Sequence, residues 1–333
     1  MSDTHRSSRA SRVVLRILAM LAVAASEAAA QQPVLYQPDS SPPRRIAMAA
    51  AGVEVPLVDP GIPNTTLPVV EIMVNGRGPF RFGVETGAGF VAVSRAFVEA
   101  AGPLPRTGGP DEVPEYRVDS ITLGGATFHD VRVSAMPRGA TGVDGVLGLP
   151  FFRDVLLTID YPARRLRLTR DTLPAANGRD VLQLSRAGPF WAVPIDLAGH
   201  AYAGVIDTRS TGTLGVTPEV GAALPFDGAL EVVGRARGAG IPETEVKAGR
   251  LAGDVRIGAY TFPRPMLSVR PLPPLFVGPA AGPLVGDAVL QHFVVSLDQR
   301  RGRLRLAREG SPVIQLREPQ RVQRPAGRVA PSP

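Results

Sequence analysis

Short runs of alternating or β-branched apolar residues recur along the chain, each stopped by Gly, Pro or Asn. Val69-Val-Glu-Ile-Met-Val74, Phe80-Arg-Phe-Gly-Val84, Ser120-Ile-Thr-Leu123 and Leu156-Leu-Thr-Ile-Asp160 predict strands. Asn75-Gly76 lies between the first two runs, and two residues able to take positive φ predict a tight hairpin there. Helices are predicted to be few and short. One starts after Ser94 and one after Thr217, where a side-chain oxygen can cap the first turn and Pro218 fits the first helical position. The pattern fails at both ends. Residues 31–64 are read as a linker, 173–187 as a second linker, and 309–333 as a disordered basic tail. Near the N-terminus, arginines up to Arg16 precede the nine-residue apolar run Ile17–Ala25, and Ala28-Ala-Ala30 follows. This is the layout of a signal peptide over residues 1–30, and the run is far short of the ~20 residues that span a bilayer. The expectation is export, to a periplasmic or extracellular location, with no stable membrane span.

The apolar runs are ordered twice over. Gly145-Val-Leu-Gly-Leu-Pro-Phe-Phe-Arg-Asp-Val-Leu-Leu-Thr-Ile-Asp160 is matched 138 residues later by Pro283-Leu-Val-Gly-Asp-Ala-Val-Leu-Gln-His-Phe-Val-Val-Ser-Leu-Asp298. At that offset Gly148 falls on Gly286, and Arg165-Leu-Arg-Leu168 on Arg303-Leu-Arg-Leu306. Upstream, Ile121-Thr-Leu-Gly124 matches Val255-Arg-Ile-Gly258 at 134, and Phe82-Gly-Val-Glu-Thr-Gly87 matches Gly204-Val-Ile-Asp-Thr-Arg209 at 122. Order is kept while loop lengths drift, which is the mark of a duplicated unit. The reading is two similar β lobes, 65–172 and 188–308. Their equivalent turns, carrying Glu85 and Asp207, face each other across a pseudo-two-fold axis.

Composition narrows the chemistry. Thirty-four prolines and 36 glycines suit short strands and tight turns. The absence of cysteine removes disulfides, thiol catalysis, iron–sulfur clusters and cysteine-bearing zinc sites. Four scattered histidines offer no metal cage, so neither metal nor cofactor is expected. His129 and His292 are read as surface or strand-edge residues. The net charge of +7 resides at the ends: residues 1–30 carry +2 and 300–333 carry +7, leaving −2 for the body. That balance argues against nucleic-acid binding. No serine-hydrolase elbow, zinc-protease helix, P-loop or dinucleotide fingerprint occurs. A glycosidase pair of carboxylates is conceivable, but aromatic residues are only 5% of the chain, which leaves few platforms for sugar rings.

The duplicated acidic-Thr turns, Glu85-Thr86-Gly87-Ala88 and Asp207-Thr208-Arg209-Ser210, resemble those of the pepsin–retropepsin superfamily of aspartic peptidases. So do the apolar-apolar-Gly turns ending at Gly148 and Gly286, each followed by a helix and a strand. The resemblance covers about residues 65–308 and implies a mostly β, bilobal acid-protease fold. It further implies that Glu85 and Asp207 hold the water that attacks a peptide carbonyl, and that Thr86 and Thr208 tie the two turns together. Two carboxyls close together cannot both ionise, so one keeps a proton. The partner implied is an extended peptide or protein. One chain supplies both acids, so the expectation is a monomer.

Both turns depart from the family pattern. Glu85 stands where an Asp is usual, and its extra methylene moves the carboxyl by up to ~1.5 Å. Gly89 replaces the usual Ser or Thr. In the second turn Arg209 replaces glycine, with a guanidinium near enough to pair with Asp207 or Glu85, depress a carboxyl pKa and remove the shared proton. Two outcomes follow: an endopeptidase with an atypical Glu/Asp dyad, or a catalytically inactive peptide-binding protein of the same fold. Gly234–Gly240 reads as either a flap hairpin or a plain loop. Trp191 and Tyr202 read as core or lobe-interface residues.

Overall fold

The computed structural model describes residues 42–107, 113–135, 142–187, 190–238, 241–272 and 282–316. The predicted signal peptide, and the tail beyond residue 316, lie outside these. Among the described residues the chain is mostly β, in three sheets.

The first lobe is a closed barrel. Strand Arg77–Glu85 lies between Val69–Val74 and Gly145–Gly148; Val91–Val93, Ala126–Ala135 and Glu115–Leu123 complete the ring. Closure comes from the long pairing of Glu115–Leu123 with Ala126–Ala135, next to a turn at Gly124, whose φ is +56°. The predicted hairpin at Asn75-Gly76 forms with φ of 48° and 77°. The barrel is filled by Phe82, Phe97 and Phe128, all buried, with Phe82 and Phe97 edge-to-face at 5.3 Å. The helix Arg95–Ala101 brings Phe97 inward, and its first turn is capped by Ser94 Oγ, which accepts from the Phe97 N–H at 3.0 Å.

The second lobe repeats this plan on an open, curled sheet. Its hairpin Phe190–Leu197/His200–Ile206 leads into the parallel neighbour Leu284–Val285, then Leu214–Val216, Met266–Val269 and the hairpin Glu231–Gly238/Ile241–Arg250. The helix Pro218–Ala222 is capped by Thr217, as expected. Residues Gly234–Gly240 thus fall within a paired hairpin, apart from 239–240, which lie outside the described residues. Trp191 is partly buried against the core, with the Arg186 guanidinium stacked 3.6 Å from its ring centre; Tyr202 also packs against the core.

The third sheet is built by both lobes together. Leu156–Asp160 and Arg165–Thr169 of the first copy join Val294–Asp298 and Arg303–Ala307 of the second in one antiparallel six-stranded sheet. Leu157 faces Leu297, and Thr158 Oγ1 meets Ser296 Oγ at 2.9 Å. Thr158 and Ser296 are 138 residues apart, the repeat offset, so equivalent residues meet on the pseudo-two-fold axis.

Three segments expected to be irregular are ordered by this sheet or the lobes. Within 31–64, Arg45–Ala47 extends the barrel and Val53–Pro56 forms an edge of the shared sheet, where Glu54 pairs with Arg165 and Arg167. Within 173–187, Val181–Gln183 forms the opposite edge and Ser185–Ala187 pairs with Phe190–Leu197. In the tail, Ile314 is buried, and its N–H donates to the Thr261 carbonyl at 2.8 Å. Each piece is too short to show a period by itself. Pairing to a strand already in place supplies the hydrogen bonds it needs.

Candidate active site

Each lobe delivers its acid in the same way. Arg77–Glu85 runs parallel to Gly145–Gly148, with Glu85 opposite Gly148. His200–Ile206 runs parallel to Leu284–Val285, and the next N–H, from Asp207, donates to the Val285 carbonyl at 3.1 Å. The glycines behind the turns are required by close backbone contact. A Cβ on Gly148 would lie 2.2 Å from the Phe90 oxygen and 2.7 Å from the Ala88 oxygen. On Gly286 it would lie 2.4 Å from the Gly212 oxygen and 2.6 Å from the Ser210 oxygen. The same contact places the Leu149 N–H on the Ala88 oxygen at 3.0 Å, and the Asp287 N–H on the Ser210 oxygen at 2.9 Å.

The two turns are tied across the lobe interface by four buried hydrogen bonds. Thr86 Oγ1 donates to the Ile206 carbonyl at 2.7 Å and accepts from the Thr208 N–H at 3.2 Å. Thr208 Oγ1 donates to the Val84 carbonyl at 2.7 Å and accepts from the Thr86 N–H at 3.1 Å. Each hydroxyl thus satisfies one donor and one acceptor of the opposite strand end, and neither threonine is exposed. The turns are set rigidly against each other.

The two acids follow the strand ends joined by this cross-link, near enough for the Asp207 charge to act on Glu85. Asp207 packs on Gly87 so closely that a Cβ there would be 2.7 Å from the Asp207 carboxyl carbon. Its Oδ1 accepts from the Arg209 N–H at 3.0 Å, inside its own turn. Arg209 then reaches across, and its Nη1 lies 3.2 Å from Glu85 Oε2. The Glu85 side chain is 15% exposed, while that of Arg209 is 45% exposed, so the guanidinium sits at the mouth over a sheltered carboxyl.

The electrostatics differ from the sequence expectation. Burial pushes the Glu85 carboxyl up to about 7; Arg209 pulls it down and Asp207 pushes it up further, but burial is the largest influence. Asp207 is also raised, again first by burial, against the N–H groups of Arg209 and Ser210 and the charges of Arg209 and Arg270. Arg209 therefore depresses both carboxyls as expected without bringing either below its ordinary value. A proton stays available to the pair.

Sequence reasoning missed three residues that complete the site. Asp287 stands where the first copy has Leu149. It is buried, and its carboxylate accepts from the Gly212 and Thr66 N–H groups and the Thr65 hydroxyl, tying the second turn to the first lobe. Gln299 Nε2 donates to the Leu149 carbonyl at 2.7 Å, a matching tie in the other direction. Arg270 is half-buried at the end of Met266–Val269, and its charge acts on Asp207. An acid against a leucine at equivalent repeat positions was a readable signal for Asp287; the other two depend on tertiary placement. Among the described residues no group of His, Asp and Glu is placed to hold a metal ion. No helix there is long and apolar enough to cross a membrane.

Residues 70–151, spanning the first turn and Gly148, match the family described as Aspartyl protease. No curated protein matches the chain. Among solved structures, an aspartic proteinase from Irpex lacteus is similar at 16% identity and a TM-score of 0.49, covering 77% of this chain and 97% of that one. A retropepsin-like aspartic protease from Rickettsia conorii is similar at 16% identity and a TM-score of 0.27, covering 37% and 90%.

Proposed function

We propose that this chain, which the Aspartyl protease match over residues 70–151 assigns to the aspartic peptidase superfamily, hydrolyses peptide bonds slowly at acidic pH with Glu85 and Asp207 as the working pair. The observation that carries the proposal is the reciprocal Thr86–Thr208 cross-link beneath two sheltered carboxyls of raised pKa. Asp207 has backbone donors and two arginines to favour its charge, so it is the base that takes a proton from water. Glu85, held up to about 7, is the acid that gives its proton to the peptide carbonyl oxygen. The pair titrates as one unit, so the two roles describe the dominant form. Protonating Glu85 also weakens its pairing with Arg209, which frees the guanidinium to swing off the cleft. Turnover should therefore rise as pH falls below about 7.

Arg209 supports a second reading, a cleft that binds extended peptide without cutting it, because its guanidinium lies on Glu85 where a substrate carbonyl would approach. A quenched peptide library followed from acidic to neutral pH separates the readings. Acid-dependent turnover that falls ~10²–10⁴-fold in Asp207→Ala is expected. Turnover indifferent to Asp207 overturns the proposal, and peptide binding without turnover selects the second reading. Export of the mature chain belongs to the same proposal and is checked by amino-terminal analysis: a new terminus near Gln31 is expected, and an intact Met1 in the exported protein opposes it.

A further inference from the structure

Arg209 enters the cleft from the second acidic turn, in the place that Gly87 holds in the first. Its backbone N–H is used on Asp207 Oδ1 at 3.0 Å, and its side chain is exposed. Of the five N–H donors on the guanidinium, only those of Nη1 are engaged, on Glu85 Oε2 at 3.2 Å. Among the described residues the guanidinium has no other hydrogen-bond or ion-pair partner. Most of its donor capacity is left for whatever enters the cleft. Two other arginine–carboxylate pairs are of a different kind. Glu54 meets Arg165 at 2.7 Å and Arg167 at 2.6 Å, and Asp180 meets Arg305 at 3.1 Å. Arg167 and Arg165 hold Glu54 below its ordinary value, and Asn177 and Arg305 do the same for Asp180. Glu85 is more sheltered than either, and burial raises it to about 7. On acidification Arg209 therefore loses its carboxylate partner while Glu54 and Asp180 keep their arginines.

A guanidinium released at the mouth of a cleft is best satisfied by another carboxylate, which can accept two parallel N–H bonds from its planar fork. Peptide side chains supply one, since ordinary Glu and Asp stay ionised down to about pH 4. Between there and about 7 the incoming carboxylate is charged and Glu85 is not. The other acid acting on Arg209 is Asp207 of its own turn, and that carboxylate is already held by the N–H groups of Arg209 and Ser210. We propose that Arg209 determines specificity: an acidic side chain next to the bond to be cut takes the guanidinium from Glu85, so the cleft selects peptides carrying Glu or Asp there. The proposal rests on the peptide-cleft reading above and adds the residue class it prefers. One ion pair replaces another, no covalent bond changes, and Glu85 keeps the proton that it gives to the peptide carbonyl.

The test uses quenched peptides that differ only by Glu or Gln at one position, scanned through the residues flanking the cleaved bond. The full chain is assayed at about pH 5.5, where the peptide acid is ionised, and at about pH 3, where it is protonated. At one position kcat/KM should be ~10-fold higher for the Glu peptide than for its Gln twin at the higher pH, and the preference should vanish at the lower. Arg209→Gln should abolish the preference, and Arg209→Lys, which keeps the charge but not the fork, should keep part of it. Equal rates for all twins, with cutting that depends on Asp207, overturn the selection and leave the peptidase reading standing. A preference that survives Arg209→Gln, or that persists at the lower pH, also overturns it. If nothing is cut, the same twins are compared for binding. A Glu preference lost in Arg209→Gln then supports the proposal, and equal binding overturns it. Absence of both turnover and binding overturns the peptide reading and the proposal with it.

Discussion

The two acidic turns have the same backbone and opposite exceptions. The first keeps glycine at its third position but lengthens the acid to Glu85; the second keeps Asp207 but puts Arg209 where the glycine belongs. Their surroundings explain the asymmetry. Opposite Asp207 there is no room for a Cβ on Gly87, whereas opposite Glu85 an entire arginine is accommodated and paired. Glu85 and Arg209 are thus one coupled change: the longer acid reaches the guanidinium, and the guanidinium satisfies the longer acid. A symmetric scaffold tolerates an asymmetric site as long as the threonines beneath it are kept.

The threonine pair offers the severest way to break the symmetry. Thr86→Val removes the donor to the Ile206 carbonyl and the acceptor for the Thr208 N–H, leaving two buried groups unsatisfied. At about 1–3 kcal/mol per group, a loss of roughly 4 kcal/mol is expected in denaturant unfolding. Thr208→Val should cost as much, and the double variant less than the sum. Additive costs would mean that the two hydroxyls do not act as a unit.

Glu85 makes the comparison sensitive to pH. Folded Glu85 keeps its proton up to about 7, while an unfolded Glu releases it near 4.5. Between these values the folded state binds more protons, so stability falls as pH rises. This contribution is complete below the unfolded value and is lost through 7, on the order of 3 kcal/mol at ~1.4 kcal/mol per unit. Asp207 and Asp287, also raised by burial, act in the same direction. Unfolding midpoints should be higher at mildly acidic than at neutral pH, with a smaller slope in Glu85→Gln. Stability that rises between these limits would contradict the burial of Glu85.

Gly87→Ala, which adds a methyl group, and Arg209→Ala, which removes the side chain beyond Cβ, test the asymmetry from both sides. The first drives a Cβ into Asp207 and should cost about 1–3 kcal/mol. The second should change stability by less than about 1 kcal/mol, because the Glu85 pair lies partly exposed at the mouth. Equal effects would mean that the turns are not differently packed.

Much of this was legible in the chain because its signals are local. Val69–Val74 and Leu156–Asp160 are strands at the predicted bounds, and Ser94 and Thr217 cap the helices expected of them. The repeat offset identified Gly148 with Gly286 and Thr86 with Thr208, and the structure gives each pair the same contacts. What a period cannot state is which strand a strand meets. The shared sheet was therefore missed, and with it the ordering of Val53–Pro56 and Val181–Gln183 at its edges. The direction of Arg209 was open in the sequence between two carboxyls and is fixed by geometry on Glu85. The strength of burial at Glu85 was invisible, since it depends on tertiary placement.

The central claim is that Glu85 and Asp207 work as one acid pair that Arg209 restrains. Its most direct measurement is the pH–rate profile of peptide hydrolysis for the wild type, Glu85→Asp, Arg209→Gly and the double variant. The account predicts a weak acid-limb activity in the wild type and little gain in either single variant. The double variant should gain on the order of 100-fold, as expected when a reacting group misplaced by about 1 Å is restored. A wild type as fast as the double variant, or a double variant with intact folding and no turnover, would contradict it.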